Sequence, residues 1–307
     1  MPEQQVVYAL GFFDGVHIGH RAILAAARRL AAETHQRSGV FTYENHPQTV
    51  LRGISPPLIT TPAERKALFR ACGMETILIL PFTKEFADRS PEAFLDLLIE
   101  RYHCGGLCSG RNFRFGAKAA GSAELLQSLC KQRGLACRIV SSLQEHGQTI
   151  SSTKIRRLIE NGEMEAAARW LERPFSLAGV IAHGDGRGAG LGIPTINSML
   201  PPNSVLPKLG VYATLTLLEG QIYPSVTNVG LRPTFLKTAQ PTVETHILSF
   251  RGEVYGRSAR VFFCKYLRSE EKFPTPQALT AQIARDTGRA LNFLESYDRS
   301  GIHDLSE

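Results

Sequence analysis

Gly11-Phe12-Phe13-Asp14-Gly15-Val16-His17-Ile18-Gly19-His20 joins an apolar run to a helix-forming one and packs three glycines and two histidines into ten residues. Ahead of it, Gln5-Val6-Val7-Tyr8-Ala9-Leu10 is a short apolar run fit for a buried strand, and Arg21 to Arg37 behind it is rich in the helix formers Ala, Leu and Arg. The decapeptide is therefore a strand-to-helix turn. Gly11, Gly15 and Gly19 let the backbone turn sharply and approach a ligand, while the free N–H groups and dipole of the helix start favour an anion. His17 and His20, at i and i+3, share one face of the first helical turn. Either imidazole could donate to a phosphate oxygen and stabilise charge developing on it during transfer. A metal half-site is disfavoured because no third His or Cys follows at helical spacing. An ordinary polar helix start remains open from the spacing alone.

Working outward, strand-like and helical runs alternate up to residue 171: Gly39 to Tyr43, Thr61 to Ala71, Thr76 to Leu80, Pro91 to Tyr102, Ser122 to Gly134, Arg138 to Val140. Alternation of this kind predicts a parallel sheet with helices on both faces and a ligand at the carboxyl ends of the strands. Two short helices, Thr153 to Glu160 and Glu163 to Leu171, are split by Asn161-Gly162. Past Arg173-Pro174 the grammar changes. Leu177 to Ala182, Val211 to Leu218, Ile222 to Val226, Thr242 to Leu248 and Ala259 to Tyr266 follow one another as β-rich runs, and one helix from Pro276 to Tyr297 closes the chain. The fold class expected is α/β, with a Rossmann-like N-terminal domain over 1–172 and an antiparallel β-barrel with a terminal helix over 173–307.

At 307 residues the chain can bury two cores. No run approaches the length of a membrane span, and the first residues carry neither the basic start nor the apolar stretch of a signal peptide. Six cysteines without CxxC pairs fit a reduced, cytoplasmic protein. The net charge of +7 suits acidic ligands such as nucleotides. Its basic residues are spread thinly and aromatics do not interleave with them, so neither nucleic acid nor membrane is expected as a partner. Arg65-Lys66 and Lys154-Ile155-Arg156-Arg157, the tightest basic clusters, fall on apparent helices with apolar neighbours.

Three further N-terminal segments belong with the histidines. Phe41 to Pro47 ends the second strand, so its polar residues emerge at the same sheet edge as the decapeptide, although a plain strand end with a proline stop also accounts for the segment. Ser109-Gly110-Arg111-Asn112-Phe113-Arg114-Phe115-Gly116 follows an apolar turn at Leu107 and alternates aromatic with basic groups. It could hold a ring system and phosphates, or be a basic hairpin. Ile150-Ser151-Ser152-Thr153-Lys154-Ile155-Arg156 places hydroxyls before a helix, as an N-cap or as a cradle for ATP phosphates with Arg156 as a bidentate partner.

The decapeptide resembles the G-x-F-D-G-x-H-x-G-H motif of the nucleotidyltransferase superfamily in its flavin-adenylating form, with Phe12 where Asn is usual. Ile150 to Arg156 resembles the I-S-S-T-x-I-R motif of those enzymes, and Arg111 to Gly116 their D/N-F-x-F-G segment. The resemblance implies in-line attack by a phosphate of FMN on the α-phosphate of ATP, releasing pyrophosphate and yielding FAD. His17 and His20 would stabilise the triphosphate, and Asn112 would orient the incoming phosphate or a magnesium-bound group. Ser151, Ser152, Thr153 and Arg156 would hold the β- and γ-phosphates, and Gly11, Asp14, Gly15 and Gly19 would shape the turn around the nucleotide.

In the second half, the glycine-rich run from Gly179 to Gly192 can wrap phosphates with backbone N–H groups, Gly184, Gly186, Arg187 and Gly192 among its members. Pro194-Thr195-Ile196-Asn197 offers a hydroxyl and an amide oxygen two residues apart, on one side of an extended segment, as a hard cation needs. Glu244, within Val243-Glu244-Thr245-His246, could take a proton from an attacking hydroxyl. Asn228-Val229-Gly230-Leu231-Arg232-Pro233-Thr234-Phe235 would form a polar loop close by. These pieces, with Gly210-Val211-Tyr212-Ala213, resemble the riboflavin kinase domain, with Ile196 where Ala is usual. The resemblance implies that the 5′-hydroxyl of riboflavin attacks the γ-phosphate of ATP with Glu244 as base, that Thr195 and Asn197 hold Mg2+, and that Asn228 and Arg232 contact the bound ligands. Together the two halves resemble the prokaryotic bifunctional riboflavin kinase/FAD synthetase family, whose small-molecule partners are riboflavin, FMN, FAD and ATP. A monomer or weak homo-oligomer is expected.

Overall fold

The computed structural model describes residues 4–145, 147–182, 195–232, 240–250, 252 and 254–305. The chain folds as two compact units, Met1–Ser152 and Thr153–Glu307.

In the first unit, β1 (Val6–Leu10), β2 (Arg37–Tyr43), β3 (Thr76–Leu80), β4 (Cys104–Gly110) and β5 (Ala136–Val140) form a sheet of order β3-β2-β1-β4-β5, every pair parallel. The chain runs outward from β1 to β3, returns to β4 on the other side of β1 and continues to β5. The direction therefore reverses between β1 and β4, and in such a sheet the crevice at the carboxyl ends of those two strands is where ligands bind. The loops leaving β1 and β4 are the decapeptide and the Arg111–Gly116 segment.

The helix α1 (Ile18–Glu33) forms because Ile23, Leu24, Ala26, Ala27, Leu30 and Ala31 fall on one face and bury against the sheet. Its small residues let it lie close. The helices α5 (Pro91–Tyr102) and α6 (Ala123–Gln132) contribute Phe94, Leu95, Leu98, Leu126 and Leu129 to a core with Tyr8, Leu10, Phe41 and Leu107. Between the strands, α3 (Pro62–Ala71) starts at a complete capping box. Thr61 Oγ1 accepts from the Glu64 N–H, Glu64 accepts from the Thr61 N–H, and Pro62 opens the first turn. Two short helices unforeseen in the sequence, α2 (Pro47–Arg52) and α4 (Lys84–Ala87), begin at the side-chain caps His46 and Thr83. Leu107, read as part of an apolar turn, sits in the middle of β4 instead.

The second unit takes in the helix Ser152–Asn161 from its second residue, the helix Met164–Leu171 and a closed barrel. The barrel runs through six antiparallel strands, Gly210–Leu218, Gln221–Arg232, Gln240–Ile247, Ile196–Met199, Phe175–Ala182 and Ser258–Arg268, in that order around the wall. Closure removes every exposed edge. Along Gly210–Leu218 alternate residues part ways. Val211, Ala213 and Leu215 pack with Ala290 and Leu294 of the helix Pro276–Glu295. Thr214 and Thr216 face the other way and join Ser225, Thr227 and Thr245 in a chain of hydroxyl contacts of 2.7 to 2.9 Å, all fully buried. Each hydroxyl satisfies its neighbour, so this polar interior leaves no orphan among them.

Candidate functional site

Each unit gathers its own cluster. In the first, the decapeptide leaves β1 with Phe13 at φ 59° and Val16 at φ 43°, a left-handed pair outside the ordinary range for such side chains. The turn is held from several sides. Asp14, 2% exposed, accepts from the Ile59 N–H at 3.0 Å and from the N–H and hydroxyl of Thr60 at 3.1 and 3.2 Å. Gly15 N–H donates to Thr60 Oγ1 at 2.9 Å, with φ 82°. The Ser152 hydroxyl donates to the Asp14 carbonyl at 2.9 Å. Asp14 and Ser152 are thus engaged in fixing the turn itself.

That turn delivers the two histidines as a unit. His17 caps α1: its Nδ1 accepts the His20 N–H at 3.3 Å, so the proton of a neutral His17 ring resides on Nε2. The rings stack with centroids 3.6 Å apart and an interplanar angle of 19°. A Cβ on Gly19 would come within 3.1 Å of the His17 ring, so glycine at that position makes room for the cap. The Phe13 ring lies edge-on to His20 at 5.2 Å. Burial, with the neighbouring His17 second, holds His20 well below the ordinary imidazole range. Kept neutral by burial, the His20 ring can stack on His17 and still offer an N–H donor. His20 Nδ1 is buried and has no hydrogen-bond partner.

At the end of β4, Asn112 is exposed and its Nδ2 donates to Ser142 Oγ at 3.3 Å, while the rings of Phe113 and Phe115 stack at 5.6 Å. The sheet therefore brings Asn112 to the edge that carries the histidines. Ser151 is half-buried in the first unit, whereas Thr153 and Arg156 belong to the second.

In the second unit, Thr195, Asn228 and Glu244 line one cavity of about 460 Å³. Glu244 stands opposite Asn228 on one neighbouring strand and opposite Asn197 on the other. Directly paired residues share a face, so these three side chains form one row across three strands. Asn228 Nδ2 donates to Glu270 Oε1 at 3.2 Å. The rest of the cavity combines an apolar part, from Val211, Val226, Phe273, Leu279 and Ile283, with His246, Glu270, Glu271 and a buried ion pair. In that pair Arg268 donates from Nε at 2.9 Å and from a terminal nitrogen at 2.8 Å to Asp286 Oδ2, and Gln282 donates to Oδ1 at 2.9 Å. Hydroxyl, amide and carboxylate oxygens on Thr195, Asn197 and Glu244 are hard donors of the kind Mg2+ takes. Among the described residues no group of three His, Cys, Asp or Glu could hold a metal, so a magnesium ion here would depend on this mixed set and on substrate phosphates. Gly184, Gly186, Arg187 and Gly192 lie outside the described residues, as does the side chain of Arg232.

Sequence reading missed four residues of these clusters: Arg65, Arg268, Asp286 and His246. Arg65 lies on the buried face of α3 with Leu68 and Phe69, and Asp286 on the stripe that carries Ile283 and Ala290. A charge in phase with an apolar stripe was the available signal. His246 lines the cavity two residues beyond Glu244, and its alternation with Val243, Thr245 and Ile247 put it on the same side of the strand as Glu244.

Residues 1–154 match the FAD synthetase family and residues 171–294 the riboflavin kinase family. The chain is 34% identical over 295 residues to the bifunctional riboflavin kinase/FMN adenylyltransferase of Bacillus subtilis, covering 94% of this chain and 93% of that protein. It is 34% identical to the Escherichia coli K12 protein of the same name, covering 95% and 94%. A crystal structure of a protein described as a macrolide-efflux protein from Streptococcus pneumoniae superposes with a TM-score of 0.88 at 27% identity over 95% of each chain. No helix among the described residues is long and apolar enough to cross a membrane.

Proposed function

Because the chain belongs to the bifunctional riboflavin kinase/FMN adenylyltransferase family, we propose that the clusters above divide its two reactions between them. The enzyme phosphorylates riboflavin to FMN with ATP, then joins FMN to the adenylyl group of a second ATP, giving FAD and pyrophosphate. We assign adenylylation to residues 1–172 and phosphorylation to residues 173–307. The observation that carries the assignment is the row Asn197, Glu244 and Asn228 beside an apolar cavity, in a unit that contains neither histidine of the decapeptide.

In the kinase half, the apolar wall of the cavity suits a planar ring system. Glu244, accepting from the 5′-hydroxyl, removes its proton as the oxygen attacks the γ-phosphate. Asn228 orients that hydroxyl from the adjacent strand. Thr195 and Asn197 would hold Mg2+, which when bound neutralises charge on the polyphosphate.

In the adenylylating half, a phosphate oxygen of FMN displaces pyrophosphate from the α-phosphorus of ATP. One P–O bond forms as another breaks, and no base is needed for an already ionised nucleophile. His17 Nε2–H donates to a phosphate oxygen, and the neutral His20 ring supplies a second donor. Asn112 orients the incoming phosphate. Ser151, Thr153 and Arg156 are assigned to the outer phosphates of ATP, and Gly11, Gly15 and Gly19 give the close approach. The protein works in the cytoplasm as a monomer or weak homo-oligomer.

Incubating the purified chain with riboflavin, ATP and Mg2+ and separating the flavins tests this directly. Both FMN and FAD are expected. No flavin nucleotide at all defeats the whole reading, and FMN without FAD leaves only the kinase.

A further inference from the structure

Arg65 is a buried charge to which neither reaction above gives a task. It is 1% exposed, and its guanidinium lies against the carboxyl ends of two neighbouring parallel strands. One terminal nitrogen donates to the Phe12 carbonyl at 2.7 Å and to Thr42 Oγ1 at 3.4 Å. The other donates to the carbonyls of Tyr43 at 3.0 Å and Glu44 at 3.2 Å. The Phe12 ring covers the guanidinium, its centroid 4.1 Å from Cζ, and the His46 ring meets Phe12 edge-on at 4.5 Å.

Taking a guanidinium out of water carries a large desolvation penalty. Holding β1 to β2 does not require it, since the two strands already pair from Val6↔Arg37 to Leu10↔Phe41. What the charge adds is reach and sign. It spans the loop after β1, which carries His17 and His20, and the loop after β2, which carries Asn45 and His46. It also places a cation among backbone carbonyl oxygens at the edge where a polyphosphate has to approach.

We infer that Arg65, covered by Phe12, is a positioning residue for adenylylation: it locks the β1 and β2 exit loops in one relative placement and offsets the negative carbonyl edge beneath the ATP phosphates. The inference rests on the assignment of adenylylation to this unit. It also gives Phe12 a role in place of the usual Asn. At that position the backbone carbonyl makes the polar contact, and the ring shields the cation that receives it.

The test uses the full chain carrying Arg65→Met, Arg65→Lys or Phe12→Leu, with FMN and ATP as substrates and kinase activity of the same preparations as the internal reference. Displacing reacting groups by about an ångström can cost about a hundredfold, so Arg65→Met should lower the adenylylation kcat by about that factor, with KM for FMN within about threefold. Arg65→Lys should lose about tenfold, because one ammonium cannot fork between both strand ends. Phe12→Leu should lose about threefold, the share of a partly desolvated cation–π contact. Kinase activity should stay within about twofold throughout, as expected for sites without shared partners. An unchanged adenylylation kcat in Arg65→Met, or a loss confined to KM, overturns the inference. Should Arg65→Met lose the first thermal transition, Arg65→Lys decides, and an unchanged kcat in that folded variant overturns it equally. Absence of FAD synthesis by the unsubstituted chain would instead defeat the functional assignment.

Discussion

Asp286→Asn should destabilise the barrel unit by about 3 kcal/mol. The carboxylate is 2% exposed and the Arg268 side chain 14%, so solvent screens the pair little. The substitution keeps the shape and one acceptor oxygen while leaving a guanidinium without its counter-charge. Removing one partner of a buried pair costs about 3 to 5 kcal/mol, and the retained acceptor places this case at the low end. Every 1.4 kcal/mol is tenfold, so the unfolding constant should rise by about a hundredfold. For a unit of this size the midpoint should fall by about 6 to 12 °C. The chain has one tryptophan, Trp170, 6% exposed and within the second unit, so its fluorescence during urea unfolding reports on this unit alone. The double variant Arg268→Leu/Asp286→Leu should recover much of the loss, since it removes the uncompensated charge. A shift below about 1 kcal/mol in the single variant, or a double variant no better than the single, would refute the argument from burial.

His20→Ala should lower FAD formation by about a hundredfold or more while sparing FMN formation, and Glu244→Gln should do the reverse when FMN is supplied; equal loss of both activities in either variant contradicts separate sites. The folded state keeps His20 neutral because of burial and the adjacent His17, whereas the unfolded chain takes up a proton below about pH 6.5. The unfolded state binds the extra proton, so stability of the first unit should fall as pH drops below that value, by at most about 1.4 kcal/mol per pH unit, and be fully regained above it. Thermal scans at pH 7.5 and 5.5 check the sign, and His20→Gln should flatten the slope. Thr61→Ala, which opens the capping box on α3, should cost about 1 kcal/mol, read from the midpoint of heat inactivation of adenylylation.

Much of each cluster was legible in the sequence, for a common reason. His17 and His20 share a helical turn, Thr195 and Asn197 share a side of an extended segment, and Glu244 sits on a β-rich run; Asn228, expected in a polar loop, lies instead on the strand Gln221–Arg232. Local periodicity fixes which way such groups face. What joins them across strands is register, and register is set by tertiary pairing. Nothing local in Val243-Glu244-Thr245-His246 places Glu244 between Asn197 and Asn228. Arg65 and Asp286 were hidden because a cation or an acid on a helix is ordinarily solvated. Only their phase, in step with Leu68 and Phe69 or with Ile283 and Ala290, marks them as inward. Asp14 illustrates the converse. It lies in the most informative stretch of the chain, yet its carboxylate holds Ile59 and Thr60, an attachment to a loop more than forty residues away that the decapeptide does not announce.

Cys104-Gly105-Gly106-Leu107-Cys108-Ser109-Gly110 shows where local reading fails for the fold itself. Three glycines and a serine carry poor strand propensity, yet this segment is the partner of β1 at the point where the sheet reverses. Packing explains the composition. A Cβ on Gly106 would lie 3.1 Å from the Ala136 carbonyl oxygen and 3.2 Å from Val7 Cγ2, neither free to move. Gly105 is different: the pairing shifts between Val6 and Val7, leaving Gly105 as the extra residue of the bulge. A Cβ there would meet the Gln36 side chain, a flexible group that can swing aside. Propensity alone predicts that Gly106→Val strengthens β4, by up to about 1 kcal/mol. Crowding predicts about 1 to 3 kcal/mol in the opposite direction, so the variant should be net destabilised, while Gly105→Ala should change stability by less than about 0.5 kcal/mol. Thermal melting of both variants separates the two accounts. A stabilised Gly106→Val would mean that intrinsic preference, and not close approach to β1 and β5, limits this strand.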